Sequence, residues 1–340
     1  MKPFLQVLRG EAQKVPPVWI MRQAGRYLPE YREIRAKARD FVDFCLTPDL
    51  AIEATLQPIR RYGMDAAILF ADILLIPQAM GQSLAFVEGE GPKLEPIRDR
   101  EGLKRLTVNG VAERLQPVME TVKGVKAALP GTVALIGFAG APWTVATYMI
   151  EGGGGSDHAL IRRMAWSDPV LFGGILDALT EATIAYLIAQ IDAGAEVLQL
   201  FDTWAGSVPA PLFERAVIQP AAQIVKAIKA HAPHVPVIGF PRAAAPHLAA
   251  YAARTGVDGV GIDHMTPLSF AAGAVTPDKA LQGNLDPILL LAGGETMTDE
   301  ASRLVRAMTG RPYIFNLGHG VLPATPPEHV AQLLAAVRGA

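Results

Sequence analysis

The sequence predicts an α/β fold, a single (β/α)8 TIM barrel over residues 1–340. Eight short apolar or β-rich runs recur along the chain, and helix-patterned sequence separates them. Because these runs are nearly continuous rather than alternating, they are typical of strands covered on both faces, as in a parallel sheet. The eight runs are residues 17–21, 65–70, 133–138, 196–201, 235–240, 259–263, 280–285 and 313–318. A doubly wound sheet is the alternative, but MRQAGRY after the first run does not fit its Gly-rich fingerprint.

The helical patterns between these runs have recognisable ends. One over residues 49–63 follows Thr47-Pro48 and ends at Gly63, and one over residues 169–194 follows Asp168 and ends at Gly194. A third covers residues 211–232. No linker rich in serine or charge interrupts the series, so we expect one domain.

Composition and charge exclude several classes of protein. The chain has 31 basic and 33 acidic residues, a formal charge of −2, which argues against nucleic-acid binding. Its single cysteine excludes an intrachain disulfide and a thiolate-rich metal site. The amino terminus lacks an apolar signal core. Residues 127–150 are uncharged, but their prolines and glycines favour a strand and a loop over a membrane span, so we expect a soluble, cytoplasmic protein.

The ends of the predicted strands carry polar residues of both charge signs. In a (β/α)8 barrel, catalytic groups lie at the carboxyl ends of the strands. We expect Asp263 and Asp286 to cap the helices that follow them, as strand-end Asp and Asn often do. The strand-end residues are Arg22, Asp72, Tyr148 (further along its loop), Asp202, Thr203, Arg242, Asp263, His264, Asn284, Asp286, Asn316 and His319.

Two arginines follow the first run, four residues apart. With Gly25 and Pro29 beside them in a loop, the guanidinium groups of Arg22 and Arg26 could converge on one anion. The alternative is a pair of solvated surface arginines. The spacing alone therefore indicates a candidate anion site.

Asp72 stands alone in the apolar segment LFADILLIP. Burial there would raise its pKa, whereas a nearby arginine would lower it. It could cap a helix beginning near Pro77, or it could serve as an acid or anionic anchor at the barrel mouth, across from Arg22 and Arg26. His319 lies between two glycines in NLGHGVLP, a setting that favours function over packing.

The glycine run at residues 151–156 has no Gly-Lys-Ser/Thr after it, so a phosphate-binding loop is unsupported. We expect a mobile loop over the mouth there. The seven histidines include no pair with metal-ligand spacing, so no metal site is predicted.

Six motifs together resemble the uroporphyrinogen decarboxylase family, in that family's order, from Pro17 to about Pro323. They are PVWIMRQAGRYLPEYR, LFADILLIPQAMG, GFAGAPWTVATYMIEGGG, QLFDTWAG, LQGNLDP and NLGHGVLP. The resemblance implies a (β/α)8 barrel, usually a homodimer, that acts without metal or organic cofactor. It also implies removal of carbon dioxide from the four acetate side chains of uroporphyrinogen III, giving coproporphyrinogen III in haem and chlorophyll synthesis.

The resemblance also implies roles for particular residues. Arg22 and Arg26 would bind substrate carboxylates, with the backbone of Gln23, Ala24 and Gly25 lining the same wall. Asp72 would be the family's central aspartate, close to the pyrrole nitrogens, with either Asp72 or an arginine such as Arg22 as proton donor. Three further positions would contact substrate: Tyr148, Thr203, where some members have serine, and His319.

Two other functions remain open at this point. One is a corrinoid-dependent or methylthiol methyltransferase of the same fold, which would hold zinc through His and Cys ligands; the single Cys45 argues against it. The other is a non-catalytic tetrapyrrole-binding protein, which would keep the arginines without needing Asp72.

Overall fold

The structure is a computed structural model that describes residues 2–87, 89–154 and 157–340. Within these ranges the chain forms nine strands and eighteen α-helices. The strands are β1 Ala66–Ile68, β2 Leu84–Val87, β3 Gly91–Leu94, β4 Ala134–Gly140, β5 Val197–Asp202, β6 Val237–Pro241, β7 Gly259–Gly261, β8 Ala280–Gln282 and β9 Tyr313–Ile314.

The first nine helices cover the amino-terminal half. They are α1 Pro3–Val7, α2 Pro29–Arg35, α3 Phe41–Leu46, α4 Pro48–Tyr62, α5 Leu75–Ala79, α6 Arg100–Lys104, α7 Val111–Arg114, α8 Gln116–Ala128 and α9 Pro142–Glu151. The others are α10 Ala159–Ser167, α11 Pro169–Ala193, α12 Ala210–Phe213, α13 Gln219–His231, α14 Leu248–Arg254, α15 Leu268–Ala274, α16 Pro287–Ala292, α17 Gly294–Ala307 and α18 Pro327–Gly339. A π-helical turn, Glu214–Ile218, joins α12 to α13, so the helix predicted over residues 211–232 is nearly continuous.

Seven strands form one parallel sheet in the order β1-β4-β5-β6-β7-β8-β9. Each strand of this sheet therefore lies beside the next one along the chain. A doubly wound sheet reverses its order at a switch point, and this sheet does not. All seven strands overlap predicted runs, with β4, β5 and β6 ending one or two residues later, so this part of the prediction is confirmed. Strands β2 and β3 form a separate antiparallel hairpin that the sequence did not predict.

The run at residues 17–21 was predicted as a full strand, and that prediction is wrong in extent. Val18 forms one isolated parallel bridge with Phe315, just after β9. On its other side, the Val18 carbonyl accepts a hydrogen bond from the backbone N–H of Asp65 at 2.9 Å. This run thus lies between β9 and β1 and bonds to Phe315, which follows β9, and to Asp65, which precedes β1.

Side chains explain why regular pairing stops there. The N–H of Val18 donates to Asp65 Oδ2 at 2.8 Å, and that of Met21 donates to Asn316 Oδ1 at 3.0 Å. Pro17 has no N–H to donate. These groups are consequently not available for a backbone ladder.

Apolar side chains fill both faces of the sheet. The inner face carries a cluster that includes Trp19, Ile136, Val197 and Ile238, and Phe4 of α1 joins it. Lys2 donates to the carbonyl of Val133, just before β4, so α1 covers the amino-terminal end of the sheet. A much larger cluster lies between the sheet and the helices. The opposite end, where the strands finish, is therefore where a substrate can approach.

The helix ends predicted for α4 and α11 are confirmed. Gly63 ends α4 with φ = +62°, a conformation that suits glycine. The Asp168 side chain accepts from the Leu171 N–H at the start of α11, and Gly194 ends it. α11 is the one described helix long and apolar enough to cross a membrane, with a mean hydropathy of 1.5. More than half of that apolar stretch is buried, and α11 packs against α8, α9, α13 and β4, as a core helix does.

The stretch predicted as a strand and a loop is a strand and a helix. β4 is confirmed, but residues 142–151 form α9 instead of a loop. Pro142 occupies the first turn, where its missing N–H costs nothing, and Gly152 ends the helix with φ = +87°. Tyr148 consequently lies on a helix that packs against the sheet.

Candidate active site

Asp72, Tyr148, Thr203 and His319 all follow the carboxyl ends of strands, on elements after β1, β4, β5 and β9. The charge of Arg22 acts on Asp72, Tyr148 and His319. The structure thus brings Asp72, Tyr148 and His319 together, with Arg22 as their common neighbour.

The backbone of Arg22 has φ = +63°, in the left-handed region that L-residues rarely adopt. A Cβ added to Gly320 would lie 2.3 Å from Cδ of Arg22, so the arginine stem passes directly over that glycine. Gly320 is therefore needed for the position of Arg22. This contact explains one of the two glycines that flank His319.

Neither arginine of the predicted anion site is neutralised by a carboxylate at close range. Within the described ranges, no carboxylate oxygen lies within 4.0 Å of a guanidinium nitrogen of Arg22 or Arg26. Both residues are exposed. Their charges are thus available to an anionic ligand.

Gln23 holds the arginine segment in place. Its Oε1 accepts from the Ile20 N–H, and its Nε2 donates to the Ala66 carbonyl in β1, both at 3.2 Å. The Tyr27 hydroxyl donates to the Gln23 carbonyl at 2.9 Å. The Gln23 side chain is fully buried, so it is not exposed at the mouth. Ala24 and Gly25 are half-buried beside it.

Asp72 is half-buried, and its Oδ1 accepts from the Leu74 N–H at 2.8 Å. It does not cap the next helix, because α5 begins at Leu75 without a side-chain cap. Burial raises the pKa of Asp72 to about 6, although the Leu74 N–H and the charge of Arg22 act to lower it. Of the two opposing effects on this pKa that the sequence left undecided, desolvation is thus the larger. Asp72 is still mostly ionised at pH 7.

The sequence analysis did not predict the residues that pack beneath Tyr148 and hold it in place. The Tyr148 ring packs on Trp204, with ring centroids 4.2 Å apart. The backbone N–H of Trp204 donates to Oγ1 of Thr144 at 3.1 Å. The Thr144 hydroxyl in turn donates to Asp202 Oδ1 at 2.5 Å. Asp202 is buried, and burial raises its pKa to about 7. The motif QLFDTWAG contained the signal, since Asp202 and Trp204 flank Thr203.

Burial and the charge of Asp72 raise the pKa of Tyr148 to about 12, so its hydroxyl stays protonated at neutral pH. Burial, with the charges of Arg22, Arg242 and His264, lowers the pKa of His319 to about 3. His319 is therefore neutral at pH 7. Tyr148 and His319 can thus hydrogen-bond a ligand without adding charge.

The two aspartates expected to cap helices differ in what they do. Asp286 Oδ1 accepts from the Ile288 N–H at 2.8 Å and caps α16, as predicted. Asp263 instead holds a turn, since it accepts from the N–H groups of Ala243 and Met265 and from the Thr266 hydroxyl. Both carboxylates are structural.

The glycine run predicted as a mobile loop lies partly outside the described residues, which omit 155 and 156. Gly152 ends α9, and Gly153 forms an isolated antiparallel bridge with Lys93 of β3. A Cβ on Gly154 would lie 3.5 Å from the Tyr148 ring, so the run begins beside the site. Among the described residues, no three His, Cys, Asp or Glu side chains converge as metal ligands would.

A profile of the uroporphyrinogen decarboxylase (URO-D) family matches residues 1–340. The uroporphyrinogen decarboxylase of Rhodospirillum rubrum is 53% identical over 337 residues, which cover 99% of this chain and 97% of that protein. The Granulibacter bethesdensis protein of the same name is 54% identical over 341 residues, covering 99% of each chain.

Among solved structures, a methyltransferase from Methanosarcina mazei superimposes with a TM-score of 0.81 at 21% sequence identity. The match covers 98% of this chain and 97% of that one, and it establishes the fold alone. The family profile over the whole chain and the relatives at 53% and 54% identity, in contrast, show the family. The chain therefore belongs to the uroporphyrinogen decarboxylase family, whose members are carboxy-lyases.

Proposed function

We propose that this chain removes carbon dioxide from the four acetate side chains of uroporphyrinogen III and so forms coproporphyrinogen III. The observation that carries the proposal is Asp72, a half-buried carboxyl within the electrostatic reach of Arg22. Arg22 and Arg26 suit a substrate with eight carboxylates, because charge-assisted contacts are about twice as strong as neutral ones. Family membership supports the same reaction.

Decarboxylation needs an acceptor for the electron pair of the breaking bond. In this reaction the pyrrole itself is the acceptor: a proton adds to a ring carbon and makes the ring cationic. The bond between the acetate methylene carbon and its carboxylate then breaks, carbon dioxide leaves, and the electron pair neutralises the ring. The methylene carbon next takes up a proton to become a methyl group, and the ring carbon loses the proton that it gained.

Within this sequence, ionised Asp72 stabilises the cationic ring and orients the pyrrole N–H groups. Its pKa of about 6 supports this role, since the carboxylate form prevails at neutral pH. Electrostatic stabilisation of this kind is usually the largest contribution to catalysis. Arg22 anchors a substrate carboxylate; as a proton donor it would need to lose a proton that arginine holds very tightly. Arg22 and Asp72 are thus the catalytic pair.

The remaining site residues bind substrate. Arg26 holds a second carboxylate, and the backbone of Gln23, Ala24 and Gly25 lines that wall. Tyr148, supported by Trp204, contacts the macrocycle. Thr203 and His319 supply neutral hydrogen-bonding groups.

We also propose that the seven-stranded parallel sheet closes into a (β/α)8 barrel over a single domain, residues 1–340. The run at residues 17–21 would take the place of the eighth strand. Hydrogen bonds from that run to Phe315, just after β9, and to Asp65, just before β1, support closure. The active protein is a cytoplasmic homodimer that uses no metal or organic cofactor. It binds neither nucleic acid nor membrane, which agrees with its charge of −2.

An anaerobic assay of purified protein, treated with a strong chelator, tests this function. Incubation with uroporphyrinogen III should give products with progressively fewer carboxyl groups, ending at four, at the rate of the untreated protein. The measurement is chromatographic separation of the oxidised porphyrins by carboxyl number.

Two results would contradict the proposal. Activity lost on chelation and restored by zinc would mean that the reaction depends on a metal, as in the methyltransferase alternative. Tight binding without any loss of carboxyl groups would mean that the chain is a tetrapyrrole-binding protein. Bovine serum albumin at equal concentration controls for spontaneous change of the substrate.

A further inference from the structure

Two residues of the mouth, Arg242 and His264, have no role in the proposed reaction. Arg242 directly follows β6, and His264 lies three residues after β7. Both are half-buried at the same end of the sheet as Asp72. The loops that carry them are tied together, because Asp263 Oδ2 accepts from the Ala243 N–H at 2.9 Å.

His264 packs directly against the loop of His319. A Cβ added to Gly318 would lie 2.1 Å from the backbone nitrogen of His264 and 2.6 Å from its Cβ. His319 is thus flanked by two glycines with separate tasks: Gly318 admits His264, and Gly320 admits Arg22. The Gly-His-Gly sequence brings two imidazoles and one guanidinium together.

Both imidazoles have an unsatisfied polar atom. Nδ1 of His264 and Nδ1 of His319 are buried and have no hydrogen-bond partner within the described part of the chain. A buried polar atom left unpaired costs about 1–3 kcal/mol. Nearly all such atoms in folded proteins find a partner, so two side by side in a mouth point to a ligand that supplies one.

Arg242 adds a positive charge that acts on His319. Its backbone is held by the Asp202 carbonyl and the Gly206 N–H, at 3.1 and 3.0 Å, and its Nη1 lies 3.5 Å from the Thr203 carbonyl oxygen. Within residues 2–87, 89–154 and 157–340 no carboxylate oxygen approaches its guanidinium within 4.0 Å. The Asp263 carboxylate is instead held in its turn by hydrogen bonds from Ala243, Met265 and Thr266.

We propose that Arg242 and His264, together with His319, form a further carboxylate-binding subsite, separate from the Arg22–Arg26 pair, for one side-chain carboxylate of the substrate. A guanidinium offers only donors, and a neutral imidazole in its Nδ1–H form offers one more, which is the complement of a carboxylate. The subsite deepens the function proposed above and rests on it, since two arginines alone leave most of the substrate's carboxylates without a cationic partner.

Steady-state kinetics under anaerobic conditions test the subsite. Arg242→Gln and His264→Phe should each raise KM for uroporphyrinogen III about fivefold to twentyfold and change kcat less than about threefold. Arg242→Lys, which keeps the charge, should recover part of the loss. Because the two residues share one carboxylate, the double variant should lose less than the product of the single effects. Arg306→Gln, on the exposed face of α17, is the matched control.

The substrate arm that binds is identified by repeating the assay with the intermediate that retains one acetate and four propionates. A lost effect there means one of the three acetates already removed, and an undiminished effect means a propionate or the remaining acetate; either result supports the subsite. KM within twofold of wild type in both single variants would overturn it. A thermal unfolding scan accompanies each variant, and if Arg242→Gln fails to fold, Arg242→Lys and His264→Phe decide.

A failed subsite and a failed function give different results. If the wild-type protein produces coproporphyrinogen and the variants keep its KM, only the subsite is wrong. If the wild-type protein produces none, the function is wrong, and the subsite falls with it.

Discussion

Replacing Asp72 by Asn is expected to lower kcat for uroporphyrinogen about a thousandfold while KM changes less than about tenfold. Asn has the same shape and can still accept the Leu74 N–H bond, so the loop should keep its conformation. What is lost is the negative charge beside the cationic ring, an interaction that forms fully only in the transition state. Removing one such electrostatic contact typically costs about 10²–10³ in kcat. Anaerobic kinetics separate the two parameters.

The same variant should be more stable than the wild-type protein at neutral pH. Folding raises the pKa of Asp72 from 3.8 to about 6, so the folded state disfavours the charged form. This penalty is fully present above about pH 6 and absent below about pH 4, and Asn removes it. The gain at pH 8, roughly 1–2 kcal/mol after allowance for partial solvent exposure, should vanish at pH 4.

Asp299→Asn, an exposed residue of α17, is the control for both measurements and should change neither. Normal kcat in Asp72→Asn with a large rise in KM would show that Asp72 only binds substrate. The catalytic part of the account would then have to be withdrawn.

Replacing Arg22 or Arg26 by Gln should raise KM by about tenfold to a hundredfold each. A hydrogen bond to a charged group contributes about 1.5–3 kcal/mol, and within the described chain no other carboxylate competes for these guanidinium groups at close range. Arg→Lys at either position should recover only part of the affinity, because an ammonium cannot make the two parallel bonds of a guanidinium. The wild-type KM should also rise with ionic strength, and less steeply in the variants.

Arg22→Gln should affect kcat as well, since Arg22 lies close enough to Asp72 to influence its pKa. Arg26→Gln should not, and so it serves as the matched comparison. An unchanged KM in both variants would contradict the assignment of this pair to substrate carboxylates. Loss of kcat alone in Arg22→Gln would favour Arg22 as the proton donor.

Local signals in the sequence predicted most of the fold. Seven strands and the ends of α4 and α11 followed from apolar runs and from residues such as Pro169 and Gly194. The failures have long-range causes. Residues 18 and 21 do not form a ladder because Asp65 and Asn316, distant in sequence, bind their N–H groups. The helix at Tyr148 was missed because Gly140 and Pro142 indicated a loop, whereas Pro142 occupies the first turn of the helix.

The sequence predicted which residues form the site better than it predicted the contacts that position them. Arg22, Asp72, Tyr148 and His319 do come together, as their strand-end positions indicated. Nothing in the sequence indicates that Gly320 makes room for the Arg22 stem, or that Thr144 holds Trp204 under Tyr148. Nor could it decide between burial and Arg22 in setting the pKa of Asp72, since that balance depends on distances.

The central claim is that ionised Asp72 stabilises the cationic ring, and the pH dependence of kcat/KM tests it most directly. This ratio reports the ionisation of essential groups in the free enzyme. We expect kcat/KM to fall about tenfold per pH unit below about pH 6. This acidic limb of the pH profile should be absent from the residual activity of Asp72→Asn. Asp202 also titrates, near pH 7, so Asp202→Asn is the control and should keep the limb. A kcat/KM that instead rises as the pH falls through 6 would mean that protonated Asp72 is the working form, and the claim would be wrong.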